Sequence, residues 1–167
     1  MNTPAVVPAQ EKTLGPVPSL YRRFQRGSAA LESPFLLLVR VYWGWQFAQT
    51  GWGKLHHLSH VTQFFASLGI PAPGFNAVFV SGLEFVGGIL LILGLATRFV
   101  GLLLAVDMLV AYITSDLAAL AAIVSDPDKF YSDAAYTFLI ASLIVLIFGA
   151  GRFSLDYLIW RRRGGGC

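Results

Sequence analysis

Cysteine is nearly absent: the single copy, Cys167, is the last residue, so the chain can form no internal disulfide, no CxxC pair and no thiolate metal site. Charge is scarce as well, at 13% of residues, where an ordinary globular domain carries roughly 25%. Histidine occurs only as His56, His57 and His60, in one short stretch outside the apolar runs. Bis-histidine haem held inside this chain is thereby excluded, and with it electron transfer by a haem or dithiol of the chain's own. Residues 1–19 lack the apolar core and small-residue cleavage site of a secretory signal, so the first helix is expected to act as an uncleaved anchor.

What is abundant is apolar. Hydrophobic residues make up 56% of the 167, enough for one domain whose expected solvent is lipid. The net charge of +3 is carried by basic residues flanking apolar runs rather than by a folded patch, which points to a membrane surface and away from nucleic acid. Residues 1–19 contain Pro4, Pro8, Pro16 and Pro18 with few large apolar residues, a disordered composition. The alternating aromatic and basic stretch Tyr21–Arg26 suits either the headgroup level or a solvated tail.

The pattern predicts an all-α, up-down four-helix membrane bundle with a short interfacial helix between helices one and two. Helix one runs from Pro34 to Leu55, about 20 residues, the length that crosses a bilayer core. On its wheel Arg40, Trp43, Gly44, Phe47, Thr50, Gly51 and Lys54 form one stripe and Leu38, Val41, Trp45, Ala48 and Trp52 another. The first stripe should face protein and the second lipid. The segment from His56 to Pro73 is too polar to span, and Val61, Phe64, Phe65 and Leu68 recur in it at helical spacing.

Helix two is expected from Gly74 to Leu95, with Ala77, Val80, Ser81, Glu84, Gly87, Gly88 and Leu91 on one face whose small residues allow close packing. The short turn through Arg98 returns helix three beside it. Helix three carries Asp107 and either runs long or breaks near Ser115; helix four follows from Tyr131 to Gly149, with Asp133, Tyr136, Thr137, Ile140, Ile144 and Ile147 on a shared inward face. The domain boundaries expected are a disordered, basic tail over 1–33, the membrane domain over 34–151 and a basic tail over 152–167.

Orientation follows from the distribution of basic residues. Lys12, Arg22, Arg23, Arg26, Arg98, Arg152, Arg161, Arg162 and Arg163 fall on one side, whereas Lys54 and Lys129 fall on the other beside Asp116, Asp126, Asp128 and Asp133. Basic residues near helix ends stay in the cytoplasm, so both termini are expected there, with the chain multi-pass in a cytoplasmic (inner) membrane.

Arg40, Glu84 and Asp107 lie at membrane depth, each costing about 2.5 to 3.5 kcal/mol at a helix centre. Arg40 is expected to reach Asp107 and to approach Glu84. Together they form either a polar pocket for a ligand or protons, or a salt-bridge network that fixes helix register. Lys54 is a further candidate, though a lysine at a helix end snorkels readily. Trp43 and Tyr136 could stack on a flat headgroup, or serve in belts and packing. The His56/His60 spacing fits two metal ligands on one face, but no cysteine or carboxylate completes that stretch, and no metal is expected. No catalytic residue is named.

The chain resembles the DoxX family of small four-helix membrane proteins from bacteria and archaea. The likeness covers about residues 35–156 and rests on Arg40, GWGKL at Gly51–Leu55, FFASLGIPAP at Phe64–Pro73, LEFVGGILLILGLATR at Leu83–Arg98 and GAGRFSLD at Gly149–Asp156, in that order. Arg40, Lys54, Glu84 and Arg98 match the family's recurrent polar positions; Asp107 is not part of that pattern. The resemblance implies a subunit of a quinone-linked oxidoreductase complex, with no covalently bound cofactor, a quinone as ligand, and the redox centre on a protein partner in the bilayer. An oligomer is compatible with it. The competing reading is a noncatalytic scaffold or small-molecule carrier whose buried charges are structural.

Overall fold

The computed structural model describes residues 16–162 apart from Asp116 and Ala122, so the expectations for the Pro-rich start, Asp116 and the end from Arg163 to Cys167 lie outside the described residues. Among the described residues the chain is helical without strands: α1 Pro16–His56, α2 Leu58–Ser67, α3 Pro73–Leu93, α4 Thr97–Ser115, α5 Leu117–Ala121, α6 Pro127–Tyr131, α7 Ala134–Phe148 and α8 Leu155–Arg162. Two compact units are distinguished, Met1–Leu31 and Glu32–Cys167.

In the first unit the expected tail is corrected: helix starts at Pro16 and exposes Leu20, Tyr21, Phe24 and Leu31. Pro16 and Pro18 occupy the first turn, where a missing N–H costs no helical hydrogen bond. Ala29, Ala30 and Leu31 are strong helix formers.

In the second unit α1, α3, α4 and α7 share one core. Phe47, Leu91, Val100, Leu104, Met108 and Val145 are buried together, with Phe138 and Leu139 packed against them. α1 and α3 run antiparallel in close contact because both present small residues. A Cβ on Gly44 would sit 2.7 Å from the Gly88 carbonyl, one on Gly88 2.5 Å from the Ala48 amide, and one on Gly51 inside the backbone of Ser81 and Phe85. Ala48 is therefore buried, not lipid-facing as its wheel position suggested. Gly101 brings α4 similarly close to α7, 3.1 Å from the Ser142 carbonyl by the same measure.

The expected face of α7 is also corrected. Ala141, Ser142 and Val145 are buried, while Thr137, Ile140 and Ile147 are exposed. Asp133, expected inward, caps the helix, its carboxylate accepting the Ala135 amide at 2.7 Å. That cap satisfies an orphan N–H at the start of the helix.

α3 and α4 are long and apolar enough to cross a membrane; α7 is apolar but shorter, and α1 carries Arg40, Gln46, Gln49, Thr50 and Lys54 in its second half. Of four expected spans, two therefore qualify by length and composition alone. Helix is described as far as Ser115 in α4 and again from Leu117 to Ala121 in α5, with Asp116 between them outside the described residues, and α2 occupies the place of the interfacial helix.

Candidate functional site

The six sequence candidates separate into four places. Lys54, at the end of α1, donates to Glu84 Oε1 on α3 at 2.6 Å. The close α1–α3 packing sets this register: with Gly44 beside Gly88 and Gly51 beside Ser81, Lys54 arrives level with Glu84. The lysine is therefore an ion-pair partner instead of a lone interfacial anchor. Glu84 is 2% exposed, and its second oxygen, Oε2, is buried without a hydrogen-bond partner among the described residues. Asp107 on α4 faces the same region, within electrostatic range of both, and its Oδ2 is likewise buried and unpartnered.

These three side chains line a cavity of about 710 Å³. Its other walls come from α2 and the turn behind it, with Val61, Phe64, Phe65, Leu68 and Ile70, and from Val80, Met108 and Ala111; His60, Asn76, Thr114 and Ser115 add polar groups. The amphipathic pattern of α2 places it there: Val61 is buried against the bundle while Phe64 stays half exposed. Gly69, at φ +73°, then turns the chain and Pro73 restarts helix. A second hollow of about 470 Å³, between α3 and α4, is lined by apolar residues from Val78 to Leu103 and holds no ionisable group.

Arg40 belongs elsewhere, and the expected Arg40–Glu84–Asp107 cluster is corrected. Arg40 is fully buried and lies against Gly94 at the far end of α3, ten residues from Glu84, or about 15 Å of helix. Its Nη2 donates to the Phe153 carbonyl at 2.5 Å, and Asp156 lies within electrostatic range. Asp156 in turn accepts the Ala96 and Thr97 amides at 2.8 and 2.9 Å, capping α4 from the segment that leads into α8. Residues 152–156 are consequently part of the packed unit, not a free tail. Antiparallel α1 and α3 put Arg40 and Lys54 at opposite ends, which is why one arginine cannot serve the carboxylates.

Trp43 packs edge-on against Phe138 at 5.2 Å, so it faces protein, whereas Trp45 and Trp52 are more than half exposed. Tyr136 does not line the cavity; its ring meets Phe130, itself stacked on Tyr112, whose hydroxyl donates to the Phe130 carbonyl at 2.8 Å. It is a packing group at the entrance to α7. Arg98 lies against Gly149 in the opposite turn, outside the cavity. Sequence reasoning missed Asp156 as a cap, the Lys54–Glu84 pair and the contribution of α2. The signal for the pair was electrostatic: a single cation near the depth of two carboxylates.

Residues 35–124 match the DoxX family. A Bacillus subtilis (strain 168) protein described as "Putative oxidoreductase CatD" is 32% identical over 130 residues, covering 78% of this chain and 90% of that one. No solved structure matches the chain.

Proposed function

Because the chain belongs to the DoxX family of membrane proteins, we propose that it is a membrane subunit of a quinone-linked oxidoreductase complex, with the cavity around Lys54, Glu84 and Asp107 taking the quinone headgroup or its protons. The observation that carries the reading is the cavity's division into a polar corner and a long apolar wall. About 710 Å³ lies within the range of small-molecule sites, and a flat, polar-headed, apolar-bodied ligand matches both parts. The sequence offers no cysteine pair and no histidine inside a span, so the redox centre is assigned to a partner. The similarity to a protein described as an oxidoreductase supports the same class.

The membrane arrangement proposed with it is four spans, α1 from Pro34 onward, α3, α4 and α7, with both termini cytoplasmic in an inner membrane. At 15 residues, α7 rises about 22 Å against a core of about 30 Å, a mismatch that local thinning and interfacial aromatic residues accommodate. Phe130, Tyr131 and Tyr136 stand at its outer end. In this orientation the cavity opens in the half of the bundle away from the cytoplasm, and the Arg40–Asp156 contact lies near the inner surface.

The scaffold or carrier reading draws its support from Arg40, whose contacts are all structural. Thermal unfolding of the purified full chain in nanodiscs, with and without a short-tailed benzoquinone, separates the two. Concentration-dependent protection that Glu84→Gln weakens is expected; an unfolding temperature indifferent to the quinone would contradict the proposal.

A further inference from the structure

The last described helix, α8, is fastened to the end of the bundle where α3 gives way to α4. Ser154 is buried and its hydroxyl accepts the Tyr157 amide at 3.1 Å, which caps α8. The Asp156 amide donates to the Gly94 carbonyl at 2.9 Å, and the Asp156 carboxylate accepts the Ala96 and Thr97 amides. Arg40 donates to the Phe153 carbonyl just before the helix. These bonds hold α8 level with the ends of the two helices that are long and apolar enough to cross a membrane. At eight residues, α8 is about 12 Å long and cannot itself cross a bilayer core.

Two features of this segment are unmatched inside the protein. Leu155, Leu158 and Ile159 recur at i, i+3 and i+4, so they form one stripe, on a different face from Asp156, which meets α4. All three are exposed, as are Phe153 before the helix and Trp160 near its end. Arg161 and Arg162 close the helix, Arg152 lies just before it, and Arg98 stands in the neighbouring turn against Gly149; all four are exposed. Among the described residues the acids at this end are Asp156, engaged by two amides, and Glu32, next to Ser33, whose hydroxyl accepts the Arg152 amide. An apolar stripe and a surplus of cations are therefore left open side by side.

A short helix with leucine and aromatic side chains beside arginines lies in the plane of a bilayer interface. Its stripe meets the acyl boundary, and its guanidinium groups meet phosphate, which they bind in a planar, two-bond geometry. Place favours lipid over a protein partner as the occupant, because the level at which spanning helices end is the level of the headgroups. We propose that α8, with Arg98, Arg152, Arg161 and Arg162, is a binding surface for anionic phospholipid that seats this end of the bundle in the headgroup layer. The proposal rests on the membrane arrangement of the bundle and is independent of the quinone reading.

The test uses the full chain in nanodiscs of phosphatidylcholine mixed with phosphatidylglycerol. In a Cys167→Ser background, which removes the single native cysteine, a nitroxide is attached at Leu158→Cys and, in a separate protein, at Val106→Cys on the exposed face of α4. Both labels are expected to collide more with dioxygen than with a water-soluble nickel chelate. A nickel-favoured label at position 158 alone, or one shielded from both reagents as under a protein partner, would overturn the lipid surface and leave the spans standing. Nickel-favoured labels at both positions would overturn the membrane arrangement itself. With unlabelled protein, the preference for spin-labelled phosphatidylglycerol over phosphatidylcholine is expected to fall about fivefold for each arginine removed by Arg152→Gln, Arg161→Gln and Arg162→Gln. Lys129→Gln, in α6 before the other end of α7, should leave it unchanged. A preference equal in wild type and the triple variant, or lowered as much by Lys129→Gln, would overturn the role given to the arginines.

Discussion

Lys54 and Glu84 show how a few side chains set the behaviour of an apolar protein. Glu84 is 2% exposed and its only hydrogen-bonding partner among the described residues is Lys54. Removing one member of a buried ion pair typically costs about 3 to 5 kcal/mol, whereas replacing both by apolar residues of similar size is often neutral. Because Lys54 is partly exposed, Lys54→Met should fall below that range, at about 2 kcal/mol, and Lys54→Met with Glu84→Leu should recover most of that loss in thermal unfolding. An additive or worse double variant would show that the pair is not the coupled unit described. Asp156 gives the complementary case. Its carboxylate caps two amides and faces Arg40; loss of a cap costs about 1 kcal/mol, and stranding the guanidinium adds to it. Asp156→Ala should thus be clearly destabilised yet bind a quinone as well as wild type does, because the far end of α3 is about 15 Å from Glu84. A selective loss of ligand affinity in that variant would place Arg40 back in the site.

The contact between α1 and α3 belongs to the scale of the element, and it decides where every polar group goes. Gly44, Ala48 and Gly51 against Ser81, Phe85 and Gly88 leave no room for larger side chains. Gly51→Leu should separate the helices, break the Lys54–Glu84 pair and lower the unfolding temperature more than Gly53→Leu, since a Cβ at Gly53 meets nothing within 4 Å. Equal effects would contradict the packing. Element positions were largely legible in the sequence: α2, the start of α3 and the separation of Trp43 from Trp45 and Trp52 follow from periodicity and from glycine or proline punctuation. What periodicity could not convey was depth along neighbouring helices. Helical wheels place Arg40, Glu84 and Asp107 on inward faces but say nothing about axial register, and the register is set by glycines that bring backbones together. Asp133 misled for a related reason, since a carboxylate at a helix start serves as a cap before it serves as an inward group. The role of Asp156 depends on a contact between residues 59 apart in sequence, Asp156 and Thr97, which no local pattern encodes.

At the scale of the molecule, the described charges segregate into a contact at one end of α3 that ties the C-terminal segment to α1 and α4, and a cavity toward its other end that leaves two carboxylate oxygens unmet. Bilayer orientation gives this polarity its meaning. A cytoplasm-dependent reporter fused after Cys167 should be active, and activity confined to a periplasm-dependent reporter would invert the assignment. The division of labour between the two clusters is the central claim, and the quinone content of purified protein tests it most directly. Full chain is purified from membranes and its lipid-soluble extract assayed, for wild type, for Arg40→Met, and for a folded triple variant carrying Lys54→Met, Glu84→Leu and Asp107→Leu. The account predicts stoichiometric quinone in wild type, quinone retained in Arg40→Met and none in the triple variant. Wild type devoid of quinone, or a triple variant that carries as much as wild type, would contradict it.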